Sequence, residues 1–175
     1  MNDQLQRIKE PASPLAGPYG HPFHPIAVTL PIGAWVSSAV FDIMSRASSE
    51  PRTYARGSAD LIKTGIVGAG GAALFGLLDY LKLPKTKAVG LTATAHMVLN
   101  LTTTALFAIN LAERERRLAD GGEQAVSNRE LCMSMLAIVL LSGSGWLGGM
   151  LSYHYGVRVA DETVQASGLR GPLDG

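Results

Sequence analysis

Four long apolar blocks separated by polar stretches organise the chain. The first runs from about His24 to Met44, the second from about Leu61 to Leu81, the third from about Ala88 to Ala112, and the fourth from about Leu131 to His154. Each reaches the roughly 20 residues that a helix needs to cross about 30 Å of hydrocarbon, where every backbone polar group must be paired within its own segment. No block shows the polar stripe at the helical period that a water-facing helix needs. The pattern therefore predicts an all-α fold, a four-helix transmembrane bundle, and the even number of crossings puts both termini on the same side of the membrane. A polar N-terminal segment over 1–20 precedes a membrane domain over 21–156, and a polar, loosely held tail follows over 157–175.

The punctuation supports these limits. Polar residues 45–58 close the first span, and Lys82, Pro84, Lys85 and Lys87 make a short turn between the second and third. The charged run Glu113 to Arg117 reads as the third helix leaving lipid, and Tyr153 and Tyr155 suit the interface at the end of the fourth. Lys63 stands near enough to an end of its span to snorkel. Pro31, inside the first span, is expected to kink it and to free a carbonyl. Gly68, Ala72 and Gly76, and again Gly145 and Gly149, follow the small-xxx-small pattern that lets backbones approach in lipid. Both faces are expected within the bundle, the rival reading being a homodimer seam.

Composition agrees with a membrane setting. Hydrophobic residues make up 47% of the chain and charged residues only 17%, against roughly 25% charged in a soluble protein. Lys and Arg number 15 against 14 Asp and Glu, so no global field favours nucleic acid. The single Cys132 excludes an internal disulfide and is expected to pack as a small buried hydrophobe. With no other cysteine there is no iron–sulfur ligand set, and the lack of a CxxCH sequence excludes covalent c-type haem. The N-terminus lacks the apolar core of a secretory signal, so insertion is expected to use the first span. Basic residues divide almost evenly between the two faces, and orientation stays open.

Topology then gathers the candidate chemistry. His21 and His24 open the first span, His154 closes the fourth on the same side, and Asp79 lies near the same face at the exit of the second. His96 lies eight residues into the third span, about 12 Å deep at 1.5 Å per residue. All four histidines are expected in one leaflet. An ionisable group inside a span usually faces the bundle interior and marks a functional path, so His96 is expected to point inward, with Asn100 one turn on sharing its face. Asp42 belongs to the opposite half and is read as a partner of Arg46 or Lys63.

The runs GHPFHPIAVTLPIG, GLLDYLKLP and AHMVLN resemble successive signatures of the family called domain of unknown function 2231, predicted four-span bacterial membrane proteins. The resemblance covers about residues 20 to 155 and matches the family pattern at His21, His24, Pro31, Asp79, His96 and Asn100. It implies a multi-pass location in the bacterial plasma membrane. Some relatives join a similar membrane part to a Rieske-type iron–sulfur domain, which implies a redox setting, and here an electron partner is expected to be another protein or a quinone.

Paired histidines on facing helices supply the neutral imidazoles that hold haem iron. The leading expectation is a haem b protein in membrane electron transfer, its ligands drawn from His24, His96 and His154 with His21 in reserve. Its obstacle is depth: with upright helices His96 lies about a third of the membrane below the others. Tilt and the Pro31 kink narrow that gap, or His24 pairs with His154 while His96 serves a proton or quinone. A second expectation is a divalent transition-metal site from His21, His24, His154 and Asp79. A third is a non-catalytic membrane subunit of a larger, respiratory-type assembly. No nucleophile with its base and no phosphate loop is present, and no enzyme activity is assigned.

Overall fold

A computed structural model describes residues 2–121 and 125–167; the end of the tail, 168–175, lies outside the described residues. Four helices are long and apolar enough to cross a membrane: Phe23–Ala47, Pro51–Leu81, Ala88–Ala119 and Asn128–His154. The first is divided into α2 (Phe23–Ala27) and α3 (Thr29–Ala47), and the next two are α4 (Pro51–Leu81) and α5 (Ala88–Ala119). The fourth comprises α6 (Asn128–Gly149) and a π-helical turn, Met150–His154. Short helices α1 (Asn2–Lys9) and α7 (Glu162–Ser167) flank the bundle.

The break in the first span falls at Val28. Pro31 explains it, because its ring displaces the carbonyl of Ala27, one turn back, and offers no N–H in exchange. Elsewhere the helices run further than the apolar blocks. The second begins at Pro51 and not near Leu61, so residues 48–50 are all that separate it from α3, where a longer polar loop was expected. Pro51 suits that position, since a first-turn proline gives up no hydrogen bond. The third continues through its charged run to Ala119. The 31 and 32 residues of α4 and α5 correspond to about 45 Å each, longer than a hydrocarbon core of about 30 Å.

The bundle is apolar outside and polar inside. Leu30, Val36, Val40, Val67, Leu74, Leu101, Ile109 and Val139 are exposed, whereas Ser38, Asp42, Ser58, Thr103, Asn110, Arg114, Ser134 and Ser144 are buried. The third span does carry a polar stripe at the helical period, contrary to the sequence reading. His96, Asn100, Thr103, Asn110 and Arg114 form it, and it faces inward. In lipid that is the stable arrangement, because polar groups find partners only in the interior. Between the polar layers lies an apolar one: Trp35, Ile62, Phe107, Ala137 and Leu141. The Trp35 and Phe107 rings stack at 4.6 Å, and a side chain at Gly65 would overlap the indole.

Segments 8–19 and 157–161 pack together at one end of the bundle. Arg158 N–H donates to Ile8 O at 3.1 Å, Lys9 pairs with Asp161 at 2.6 Å, and Tyr19 Oη donates to Asp161 at 2.8 Å. The tail is therefore tied down as far as Asp161, where a loose segment was expected. Cys132 is exposed on α6 and not buried, since its neighbours on the inward face are Glu130, Ser134 and Ala137.

Candidate functional site

His24 and His96 meet inside the bundle with ring centroids 6.2 Å apart and planes at 89°. The expected difference in depth does not exist, because α2 starts at Phe23, so His24 occupies only its second position, whereas α5 starts at Ala88 and reaches His96 two turns later. The segment before Phe23 packs on the second span: Pro14–Ala16 forms a 3₁₀ turn against α4, and Phe23 sets its ring edge-on to Phe75 at 5.8 Å.

Each imidazole is oriented by a carbonyl of a neighbouring helix. His24 Nδ1 lies 2.9 Å from Ala72 O, and His96 Nδ1 lies 2.8 Å from Ser144 O. A carbonyl only accepts, so both Nδ1 atoms carry the proton and both Nε2 atoms keep a lone pair. Asn100 Nδ2 donates to His96 Nε2 at 3.1 Å and to His96 O at 3.0 Å. Ser144 Oγ donates to His96 O at 3.2 Å, closing the link between α5 and α6. Glycines make room for the rings: a Cβ at Gly76 would sit 2.9 Å from His24 Cε1, and one at Gly148 would sit 3.1 Å from His96 Cε1.

The other candidates are elsewhere. His21 is exposed, 3.5 Å from Tyr19 O, and His154 is exposed against Tyr155 with ring centroids 4.8 Å apart. Asp79 pairs with Arg158 at 3.0 Å. Arg158 also donates through Nη2 to Ala16 O and Gly17 O at 3.0 and 2.9 Å, so Asp79 belongs to the seam joining the chain ends to the bundle. The quartet His21, His24, His154 and Asp79 is not gathered, and among the described residues no three His, Cys, Asp or Glu side chains form a metal-holding group. Gly68 packs on Leu30 and Pro31, and Gly76 on His24. Gly145 and Gly149 instead face outward and line an open groove of about 450 Å³ with Trp146, Met150, Tyr153 and His154, which corrects their expected place inside the bundle.

The second polar layer lies toward the opposite end. Asp42 pairs with neither Arg46 nor Lys63 but with Arg114, Nη1 to Oδ1 at 2.6 Å and Nη2 to Oδ2 at 2.7 Å, both side chains fully buried. Lys63 pairs with Glu115 at the surface, 3.2 Å away. Ser58 and Ser134 donate to the two Asp42 oxygens, and Arg114 Nε donates to Asn110 Oδ1 at 2.9 Å. All four spans thus contribute to one closed network. Removing one partner of such a buried pair costs about 3–5 kcal/mol, because the other charge is stranded. Arg114 escaped the sequence reading because it stands in a run that looked like an exit from lipid. Its signal was the period: it follows Asn110 by one turn and shares its inward face.

The comparisons with known proteins agree with the fold. A family model described as a predicted membrane protein matches residues 20–161. No curated protein and no solved structure matches the chain.

Proposed function

The chain belongs to the DUF2231 family of predicted membrane proteins, and within that setting we propose that His24 and His96 would together hold a haem b serving electron transfer in the membrane. The observation that carries this reading is the facing pair itself, 6.2 Å between ring centroids. A ring nitrogen binds a metal ion at about 2 Å, so two imidazoles about 6 Å apart centre to centre are spaced to share one ion. Each has its Nδ1–H on a backbone carbonyl, the support that fixes the tautomer of ligating histidines and raises their basicity. Ligation by His96 Nε2 requires Asn100 to release that nitrogen and keep only its bond to His96 O.

A pair of imidazoles favours haem over a bare ion. Zinc or copper held by protein alone usually takes three or four donors, whereas a porphyrin brings four nitrogens of its own and two imidazoles would suffice to hold it. The haem would supply a one-electron couple, its potential set by axial ligands, burial and hydrogen bonds. The residues' part is to hold it by two rigidly supported imidazoles near one end of the bundle, within reach of a redox protein or a membrane quinone.

Protein purified in mild detergent from cells supplied with haem precursor tests the reading. A Soret band that shifts on dithionite reduction, with haem stoichiometric to the chain, supports it. A colourless preparation holding one transition metal per chain would move the site to the bare-ion reading. A preparation with neither leaves the histidine layer as an interhelical lock.

A further inference from the structure

Three pairs of side chains meet along the middle of the bundle, each with one member from the first span and one from the third: His24 with His96, Trp35 with Phe107, and Asp42 with Arg114. All three are separated by the same 72 residues. The supports keep the interval as well. His24 bonds the carbonyl 48 residues ahead, at Ala72, and His96 bonds the carbonyl 48 ahead, at Ser144. One turn beyond each carbonyl stands the glycine that makes room for the ring, Gly76 and Gly148. The first and third spans run in the same direction, so an axis along the membrane normal relates the halves, the geometry of a parallel internal repeat.

We infer that the chain is two copies of one helical hairpin facing each other across this axis, and that the opposite charges at the equivalent positions 42 and 114 make each copy recognise the other and not itself. The first two layers do not discriminate, because each places histidine opposite histidine or aromatic opposite aromatic. The third does. Two copies of the first hairpin would bury Asp42 against a second Asp42, and two of the second would bury Arg114 against Arg114, each stranding like charges away from water. Only the mixed pair closes the bidentate bridge. The histidine layer follows, one imidazole from each copy, brought face to face by the pairing that the charged layer selects.

Symmetry gives this inference its own test, independent of any cofactor. Ser38 and Asn110 are also equivalent positions, and Asn110 is the residue that steadies Arg114. Exchanging both pairs in the full chain (Ser38→Asn, Asp42→Arg, Asn110→Ser, Arg114→Asp) turns the charged pair and its flanking Ser and Asn by half a revolution, while Ser58 and Ser134, each bonded to both Asp42 and Arg114, stay in place. In detergent, Asp42→Arg alone is expected to lower the thermal midpoint by about 10 °C or more, or to prevent recovery of monodisperse protein, as is Arg114→Asp alone. The fourfold exchange is expected to return to within about 5 °C of the parent. An exchanged protein no more stable than Asp42→Arg overturns the inference, as does an Asp42→Arg protein as stable as the parent.

Discussion

Gly76 and Gly148 hold the imidazoles by having no side chain. An alanine at Gly76 meets the His24 ring below contact distance, whereas one at Gly148 meets His96 in a contact that is only tight. Overpacking of this kind costs about 1–3 kcal/mol, and replacing a helical glycine returns up to about 1 kcal/mol. Gly76→Ala is therefore expected to change global stability by at most about 2 kcal/mol while loosening the His24 bond to Ala72. The check compares thermal midpoint with the chemical shift of the His24 ring proton, and Gly148→Ala should do the same to His96 more weakly. Outside the spans, Asp161 is the residue that makes the tie between the chain ends depend on pH. Hydrogen bonds from Lys9 first, and then from Tyr19, hold its carboxyl below its ordinary value of 3.8. The folded state thus binds the proton less readily than the unfolded one. Its contribution to the tie is whole above the ordinary value, fades as pH falls through it, and is gone below the folded-state value. Proteolysis at the tail should accelerate in the parent as pH falls below about 4, and Asp161→Asn should be cut rapidly at higher pH as well.

At the scale of elements, the four spans, the Pro31 kink and the inward face of His96 were legible, because hydrocarbon length and the cost of an imidazole in lipid act on each segment separately. What was not legible depended on partners in other segments. The start of α4 at Pro51 and the end of α5 at Ala119 lie in polar sequence that hydropathy assigns to loops, yet Ser58 and Arg114 there are buried and bonded to each other. The level of His24 depended on where α2 begins, and the place of Asp79 on the tail that folds back to it. The α6 start, three residues before the apolar block, is set by a capping box in which Ser127 Oγ accepts from Glu130 N at 3.2 Å and Glu130 Oε2 accepts from Ser127 N at 2.8 Å. Ser127→Ala should cost about 1 kcal/mol. Glu130→Ala should cost more, since it also removes the ion pair with Arg117, whose Nε donates to Glu130 Oε1 at 2.9 Å. Thermal unfolding of the two variants gives that order directly.

For the whole molecule, the layers along the axis divide the work. The Asp42–Arg114 layer fastens all four spans at one end, the Trp35–Phe107 stack fills the middle, and the histidine pair stands at the other end beneath the joined chain ends. Position in the sequence, with His21 before the apolar segment and His96 inside it, predicts the most severe loss for His96 and the least for His21, with His24 and His154 between them and whichever ligates matching His96. The geometry replaces that order with a sharper one: His24 and His96 form one unit, and His21 and His154 stand apart from it. The most direct measurement is the reduced-minus-oxidised optical spectrum of the parent and of the four single histidine-to-alanine variants, each first shown to be monodisperse and helical. His24→Ala and His96→Ala are expected to lose the haem signal to the same degree, while His21→Ala and His154→Ala keep the parent's. Loss in His154→Ala with retention in either His24→Ala or His96→Ala would contradict this expectation, as would a parent that carries no haem signal.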